Sequence, residues 1–133
     1  MSIDKMLAKP CWIVDILPER VPDKSPGQYF AVEKYWLRDP SLRRKQGNII
    51  MKLNCYYDLT LVTENEEIRN PPPAVWLERP GREYLNILVE EHTLITADQT
   101  DTYMTVFTED EKLLEMIRKL AAAEGLFLWK GID

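Results

Sequence analysis

The sequence is poor in the residues that most often carry chemistry. Its 133 residues include one histidine, His92, and two cysteines, Cys11 and Cys55. The cysteines have neither metal-ligand spacing nor a companion histidine, so no metal site is predicted. Secreted domains that depend on disulfides usually carry more cysteine pairs. We therefore expect two buried, reduced thiols in a cytoplasmic protein.

Long apolar runs and the common catalytic motifs are also missing. Asp15 interrupts the one N-terminal run that resembles a secretory signal. No stretch approaches the ~18–20 apolar residues of a membrane helix, so no membrane association is expected. Glycine-rich phosphate loops, the G-x-S-x-G elbow, H-E-x-x-H and C-x-x-C are all absent. The sequence therefore predicts no cofactor and assigns no catalytic residue, which favours a protein that is not an enzyme.

The chain also has no excess of positive charge. Asp and Glu number 22 against 17 Lys and Arg, which gives a net charge of -5. Such a balance opposes a general attraction to phosphate backbones and disfavours nucleic acid as a partner. The basic segment 42–45, Leu42-Arg43-Arg44-Lys45, is a local exception that could contact phosphate. A solvated helix face is the favoured interpretation of this segment.

The composition that is present is that of a globular protein. With 45% apolar and 29% charged residues, the chain fits one domain spanning residues 1–133. Runs rich in β-branched and aromatic residues predict strands at 11–17, 55–63, 83–89, 93–97, 102–107 and 126–129. Short polar links between the runs from 83 to 107 indicate an antiparallel meander.

Segment 27–37, with the sequence GQYFAVEKYWL, is ambiguous. Its aromatic density favours a strand, whereas the preceding Ser25-Pro26-Gly27-Gln28 has the form of a helix capping box. We prefer the strand and leave the helix open.

Two helices have clear signals. Asp39 followed by Pro40 predicts a helix over 40–53, because Asp accepts hydrogen bonds at a helix start and proline suits the first helical position. Thr108 and Glu111 form a capping-box pattern that begins a second helix over 109–124, with Ile117 central in its apolar stripe. Together these elements predict an α+β fold: an antiparallel or mixed sheet of about six strands with two helices packed on one face.

Two polar clusters are candidate sites. Glu90-Glu91-His92 combines the only histidine with two carboxylates, but a solvated hairpin tip is the favoured interpretation. Asp98 and Asp101 resemble a fragment of a calcium loop, yet the spacing lacks the closing ligands, so turn chemistry accounts for them better.

The long acidic connection 64–82 offers the preferred binding residues. Pro71, Pro72 and Pro73 stiffen it beside Trp76, which could insert into the pocket of a partner. We therefore predict Trp76, Pro72 and Pro73 as binding residues, with plain tethering as the structural alternative.

No single function follows from these patterns. We favour a cytoplasmic, non-enzymatic binding or protein-interaction module whose partner is another protein or a second copy of itself. One alternative is a small hydrolase or transferase that uses carboxylates with His92, and another is a nucleic-acid accessory protein that uses the basic segment 42–45.

Overall fold

The structure is a computed structural model that describes residues 3–131. Within that range the helices are α1 (Ile3–Met6), α2 (Tyr29–Arg38), α3 (Pro40–Leu53), α4 (Pro73–Glu78) and α5 (Glu111–Ala123). The strands are β1 (Cys11–Asp15), β2 (Leu59–Val62), β3 (Glu67–Arg69), β4 (Leu85–Val89), β5 (Thr93–Ala97), β6 (Met104–Phe107) and β7 (Phe127–Lys130).

The strands form one sheet in the order β3-β2-β4-β5-β6-β1-β7. All neighbouring strands are antiparallel, so the predicted α+β class is confirmed and the sheet is antiparallel rather than mixed. β6 and β7 are parallel to each other with β1 between them, and α5 connects them. The predicted count of about six strands is one too low. The additional strand, β3, lies inside the connection 64–82, and its three residues are too few to show an alternating pattern in the sequence.

The hydrophobic core lies between one face of the sheet and helices α3, α4 and α5. Alternate residues of the strands point into it, such as Leu61, Ile87 and Val106. Ile117 of α5 is 1% exposed, which confirms its predicted core position.

α3 has the predicted bounds. The Asp39 carboxylate accepts a hydrogen bond of 2.9 Å from the Ser41 N–H, as expected for a residue that caps a helix followed by proline. Gly47 lets α4 approach α3 closely, since a Cβ at this position would lie 2.1 Å from the Trp76 carbonyl oxygen. This close approach places Trp76 against the core.

α5 begins later than the sequence predicted. Its N-cap is Asp110, whose carboxylate accepts from the N–H groups of Lys112 and Leu113, both at 3.0 Å. Thr108 was predicted as the cap, but its hydroxyl accepts from the Asp110 N–H and pairs with the Thr93 hydroxyl at 2.6 Å. The carboxylate two residues further along the chain takes the capping position, because it reaches the first-turn amides that Thr108 does not.

The strand prediction for 27–37 is wrong, because this segment forms α2. The helix has no buried residue, and Phe30 and Tyr35 are 80% and 62% exposed. Aromatic density favours a strand only where the side chains pack on neighbouring strands, which these do not. The capping-box alternative gave the correct type of element, although Gln28 makes no side-chain capping hydrogen bond and the Ser25 hydroxyl accepts from Gly27 instead.

The segment around Cys55 is also corrected. Residues 54–56 form a turn after α3, and β2 begins only at Leu59. Cys55 is therefore exposed rather than buried, while Cys11 on β1 is half-buried, and no disulfide joins them.

The second face of the sheet, opposite the core, carries Cys11, Ile13 and Asp15 of β1 and Trp129 of β7. Towards β5 this face is contacted by α1, where Met6 is buried. Towards β1 and β7 it is contacted by the loop between β1 and α2, and the candidate site lies beneath this loop.

Candidate functional site

A cavity of about 460 Å³ lies between the second face of the sheet and the segment 16–30. Ile13, Asp15, Tyr103 and Trp129 form its sheet side. Its cover consists of the segment after β1 and the start of α2, and contributes Leu17, Val21, Pro22, Tyr29 and Phe30. The cavity therefore has a largely apolar and aromatic wall with one buried carboxylate.

The alternation of β1 explains why this wall forms. Val14 enters the core, while Ile13 and Asp15 point to the second face. Ile13 pairs with Trp129 of β7, so their side chains lie on the same face. The Trp129 indole N–H donates to the Leu17 carbonyl oxygen at 3.1 Å, which fastens the cover segment to the sheet.

Asp15 is the most distinctive residue of the cavity, because it is only 7% exposed. Its Oδ1 accepts hydrogen bonds from the Ile16 N–H at 2.7 Å and from the Thr102 hydroxyl at 2.9 Å. Its Oδ2 accepts none from residues 3–131. No fully enclosed polar side-chain atom in this range lacks a partner, so Oδ2 must border open space. Since Asp15 lines the cavity, that space is the cavity.

The surroundings of Asp15 disfavour its negative charge. Burial raises the pKa of this carboxyl, and the hydrogen bonds from Ile16 and Thr102 lower it by less. The carboxylates of Glu33 and Asp101 raise this pKa further. A positive charge placed beside Asp15 would relieve both effects.

Two tyrosines line the cavity beside these carboxylates. Tyr29 donates to Glu33 Oε2 at 3.0 Å, and burial, followed by this contact, raises its pKa to about 12. Burial is the main cause that raises the pKa of Tyr103, and the charge of Asp101 is the next. Both phenols are therefore protonated at neutral pH. The pKa of Asp101 is itself raised by burial and by the carboxylates of Asp98 and Glu33. Acidic groups therefore lie near Asp15, although Asp101 and Glu33 do not line the cavity.

The comparisons with known proteins add no function to this geometry. No family model, curated protein or solved structure matches this chain. The functional evidence therefore comes from the residues themselves. Over residues 3–131, no cluster of three or more His, Cys, Asp or Glu residues could hold a metal ion. In the same range, no helix has the length and apolar character needed to cross a bilayer.

The predicted binding residues lie away from this cavity, and the role predicted for Trp76 is corrected. Trp76 is 1% exposed and belongs to α4, so it is a core residue rather than an exposed anchor. Pro72 and Pro73 are exposed, and they begin α4 instead of forming an extended recognition segment. Proline at the first position suits the start of α4. Trp76 faces the core because α4 packs closely against Gly47 of α3.

His92 lies in the turn between β4 and β5, as predicted, and its side chain is 42% exposed. Its Nδ1 lies 2.8 Å from the Thr93 hydroxyl, and its Nε2 lies 3.7 Å from Asp110 Oδ2. Thr93 is fully buried, so this row of side chains presents no accessible nucleophile. Glu90 is directed elsewhere, with its carboxylate accepting from the Asp58 N–H at 3.1 Å. The structure thus does not bring the carboxylate of Glu90 together with His92.

Three residues of the basic segment 42–45 make contacts within the protein. Leu42 is buried, Arg43 donates to the Gln99 carbonyl, and Lys45 donates to the Glu124 carbonyl. Only Arg44 is left as an exposed cation of this run.

The turn interpretation of Asp98 agrees with its contacts. Its Oδ1 accepts from both the backbone N–H and the hydroxyl of Thr100, at 3.0 and 3.1 Å. The Asp101 N–H donates to the Asp98 carbonyl oxygen at 3.2 Å, so Asp101 belongs to the same predicted turn. Its carboxylate also raises the pKa of Asp15.

Sequence reasoning missed Asp15, Tyr29, Tyr103 and Trp129 as site residues. One signal was available: Asp15 is a single carboxylate inside the apolar strand sequence CWIVDIL, where burial of a charge requires a reason. The tyrosines gave no such signal, because their meeting depends on how the segment 16–30 crosses the sheet.

Proposed function

We propose that this protein is a cytoplasmic, non-enzymatic binding module whose ligand occupies the cavity beneath segment 16–30. The observation that carries the proposal is the cavity itself, about 460 Å³, whose wall is more apolar than polar. Small-molecule sites in proteins are typically concave, largely apolar and ~300–1,000 Å³ in volume, with a small number of placed polar groups.

Binding accounts for the cavity better than catalysis does. His92 does not line it, and the Tyr29 hydroxyl is already engaged with Glu33. Within residues 3–131 the hydrogen-bond donors to Asp15 are Ile16 and Thr102, so no other lining group, such as Cys11 or Glu19, is paired with it. Acid–base and nucleophilic enzymes instead place such groups within hydrogen-bond reach of one another.

The test uses Nile red, a neutral dye whose emission increases in apolar surroundings. Purified wild-type protein is titrated with the dye beside two variants, Ile13→Phe, which fills the cavity floor, and Leu88→Phe. Leu88 is half-buried on β4 and does not line the cavity, so Leu88→Phe is the matched control. We expect saturable binding by wild type and the control, and at least ~10-fold weaker binding by Ile13→Phe, which corresponds to ~1.4 kcal/mol.

Absence of saturable binding in wild type would contradict the proposal, as would equal binding by Ile13→Phe. Circular dichroism melts of the three proteins show whether each is folded. His92→Ala should bind the dye like wild type, whereas a loss of binding would favour the alternative that uses His92.

A second candidate is self-association through α2, which the exposed apolar side chains of this helix favour. Val32 and Tyr35 are 41% and 62% exposed, and α2 buries no residue. Exposed apolar patches of this kind often mark interfaces. Light scattering over a range of concentrations should detect a dimer that Val32→Ser with Tyr35→Ser abolishes. Tyr84→Ser, which removes a 48% exposed aromatic residue elsewhere, is the control. A monomer at all concentrations would exclude this candidate.

A further inference from the structure

We propose that the ligand of the cavity is an organic cation, with an apolar or aromatic body and a protonated amine that pairs with Asp15. This inference rests on the proposed function, because it names the chemical class that the same cavity takes. The observations that carry it are the unused oxygen of Asp15, the sign of the surrounding charge and the aromatic wall.

The second carboxylate oxygen of Asp15, Oδ2, is available to accept a hydrogen bond from a ligand. Asp15 Oδ1 is satisfied by Ile16 and Thr102, whereas Oδ2 borders the cavity and accepts from no residue in the range 3–131. A buried carboxylate is stabilised when its remaining lone pairs accept hydrogen bonds, and a charged donor gives the strongest such bond. An ammonium group in the cavity would supply that hydrogen bond.

The charge around Asp15 selects a cation. Glu33 on α2 and Asp101 before β6 both act on this carboxyl as like charges. Arg43 does not offset Asp15 but faces Asp101 and Asp98. An anionic ligand in the cavity would add to this repulsion, whereas a cation would reduce it.

The charged residues of the cover leave the lining of the cavity net negative. Arg20 lines the cavity, but its guanidinium is paired with Asp23 at 3.2 Å. The cover also contributes Glu19. The lining therefore has more carboxylates than cations.

The aromatic wall suits the same ligand. Tyr29, Phe30, Tyr103 and Trp129 line the cavity, and the faces of such rings attract cations within about 6 Å. The Trp129 N–H is already donated to Leu17 and the Tyr29 hydroxyl to Glu33. These two residues therefore offer the ligand ring surface rather than hydrogen-bond donors, which suits an amine better than a carboxylate or phosphate.

The experiment compares two probes of nearly equal shape, 2-phenylethylamine, which is protonated at pH 7.5, and neutral 2-phenylethanol. Isothermal titration calorimetry of the wild-type protein should show at least ~10-fold tighter binding of the amine, equivalent to ~1.4 kcal/mol. Asp15→Asn should remove that preference and leave the affinity for the alcohol unchanged. Asp4→Asn, at an exposed carboxylate on α1 that does not line the cavity, should retain the preference.

The outcomes separate the two proposals. Equal affinities of wild type for the two probes would overturn the cationic ligand, as would an unchanged preference in Asp15→Asn. Nile red binding without detectable amine binding would also overturn the ligand class while the cavity remained a binding site. If neither probe nor Nile red binds, the proposed function itself fails. The wild-type comparison of the two probes needs no variant, so it decides the ligand class even if Asp15→Asn does not fold.

Discussion

Replacing Trp76 by alanine tests whether this residue belongs to the core or to a binding surface. Trp76 is 1% exposed, and it lies where α4 meets α3. A buried tryptophan removes ~150–250 Å² from water, which at ~25 cal/mol per Å² corresponds to ~4–6 kcal/mol. Measured costs of truncating large buried aromatics are ~3–5 kcal/mol, because the surroundings relax in part.

The hydrogen bond of Trp76 adds little to this value. Its indole N–H reaches Asn54 Oδ1 at 3.4 Å, which is long for such a bond. We therefore expect Trp76→Ala to reduce the free energy of unfolding by ~3–5 kcal/mol. For a chain of this length, the melting temperature should fall by ~10–18 °C, given an unfolding entropy of ~2.1 cal/mol/K per residue.

The assay is urea denaturation followed by far-ultraviolet circular dichroism, with Leu77→Ala as the matched control. Leu77 is the next residue of α4 and is 42% exposed, so its truncation should cost under ~1 kcal/mol. Equal costs for the two variants would refute the core placement of Trp76 and restore its predicted role as an exposed anchor. If Trp76→Ala is too unstable to purify while Leu77→Ala behaves like wild type, the core placement is supported.

Four further predictions concern single side chains. Asp15→Asn should be more stable than wild type at pH 7.5, and urea melts should show this advantage shrinking as the pH falls to 3. The pKa of Asp15 is higher in the folded than in the unfolded protein, so the protonated carboxyl stabilises the fold. This stabilisation is complete below the unfolded-state pKa and is lost as the pH rises through the folded-state pKa. Ile117→Ala should cost ~2–5 kcal/mol in the same assay, against under ~0.5 kcal/mol for the exposed Glu115→Ala. Asp110→Ala should cost ~0.5–2 kcal/mol by removing the acceptor for two first-turn amides, and an unchanged denaturation midpoint would contradict the cap. Gly47→Ala should cost at least ~1–3 kcal/mol, since its methyl group meets the Trp76 backbone, and wild-type stability would show that α4 can move away without cost.

Local chemistry in the sequence was sufficient where one short segment decides the outcome. α3 follows from Asp39 and Pro40, because a cap and the first helical turn involve only neighbouring residues. The buried face of α5 follows from its apolar period, which is why Ile117 was placed correctly. The strands of the meander likewise follow from β-branched and aromatic runs separated by short polar links.

Tertiary contacts decided the elements whose local signals conflict. Segment 27–37 has strand-like composition, yet no neighbouring strand takes it into the sheet, and it forms α2. Trp76 has no local signal that separates an exposed anchor from a core residue. Its direction depends on α4 packing against Gly47, which is distant in the sequence.

The cavity depends most on tertiary structure. The sequence established that Asp15 is a lone carboxylate in an apolar strand, but not which face of the sheet it would occupy or what would cover it. The return of β7 beside β1 brings Trp129 to Ile13, and the path of segment 16–30 brings Tyr29 and its partner Glu33 towards Asp15. These side chains are far apart in the sequence and come together only once β1 has paired with β6 and β7. A local sequence pattern therefore cannot indicate that they are neighbours.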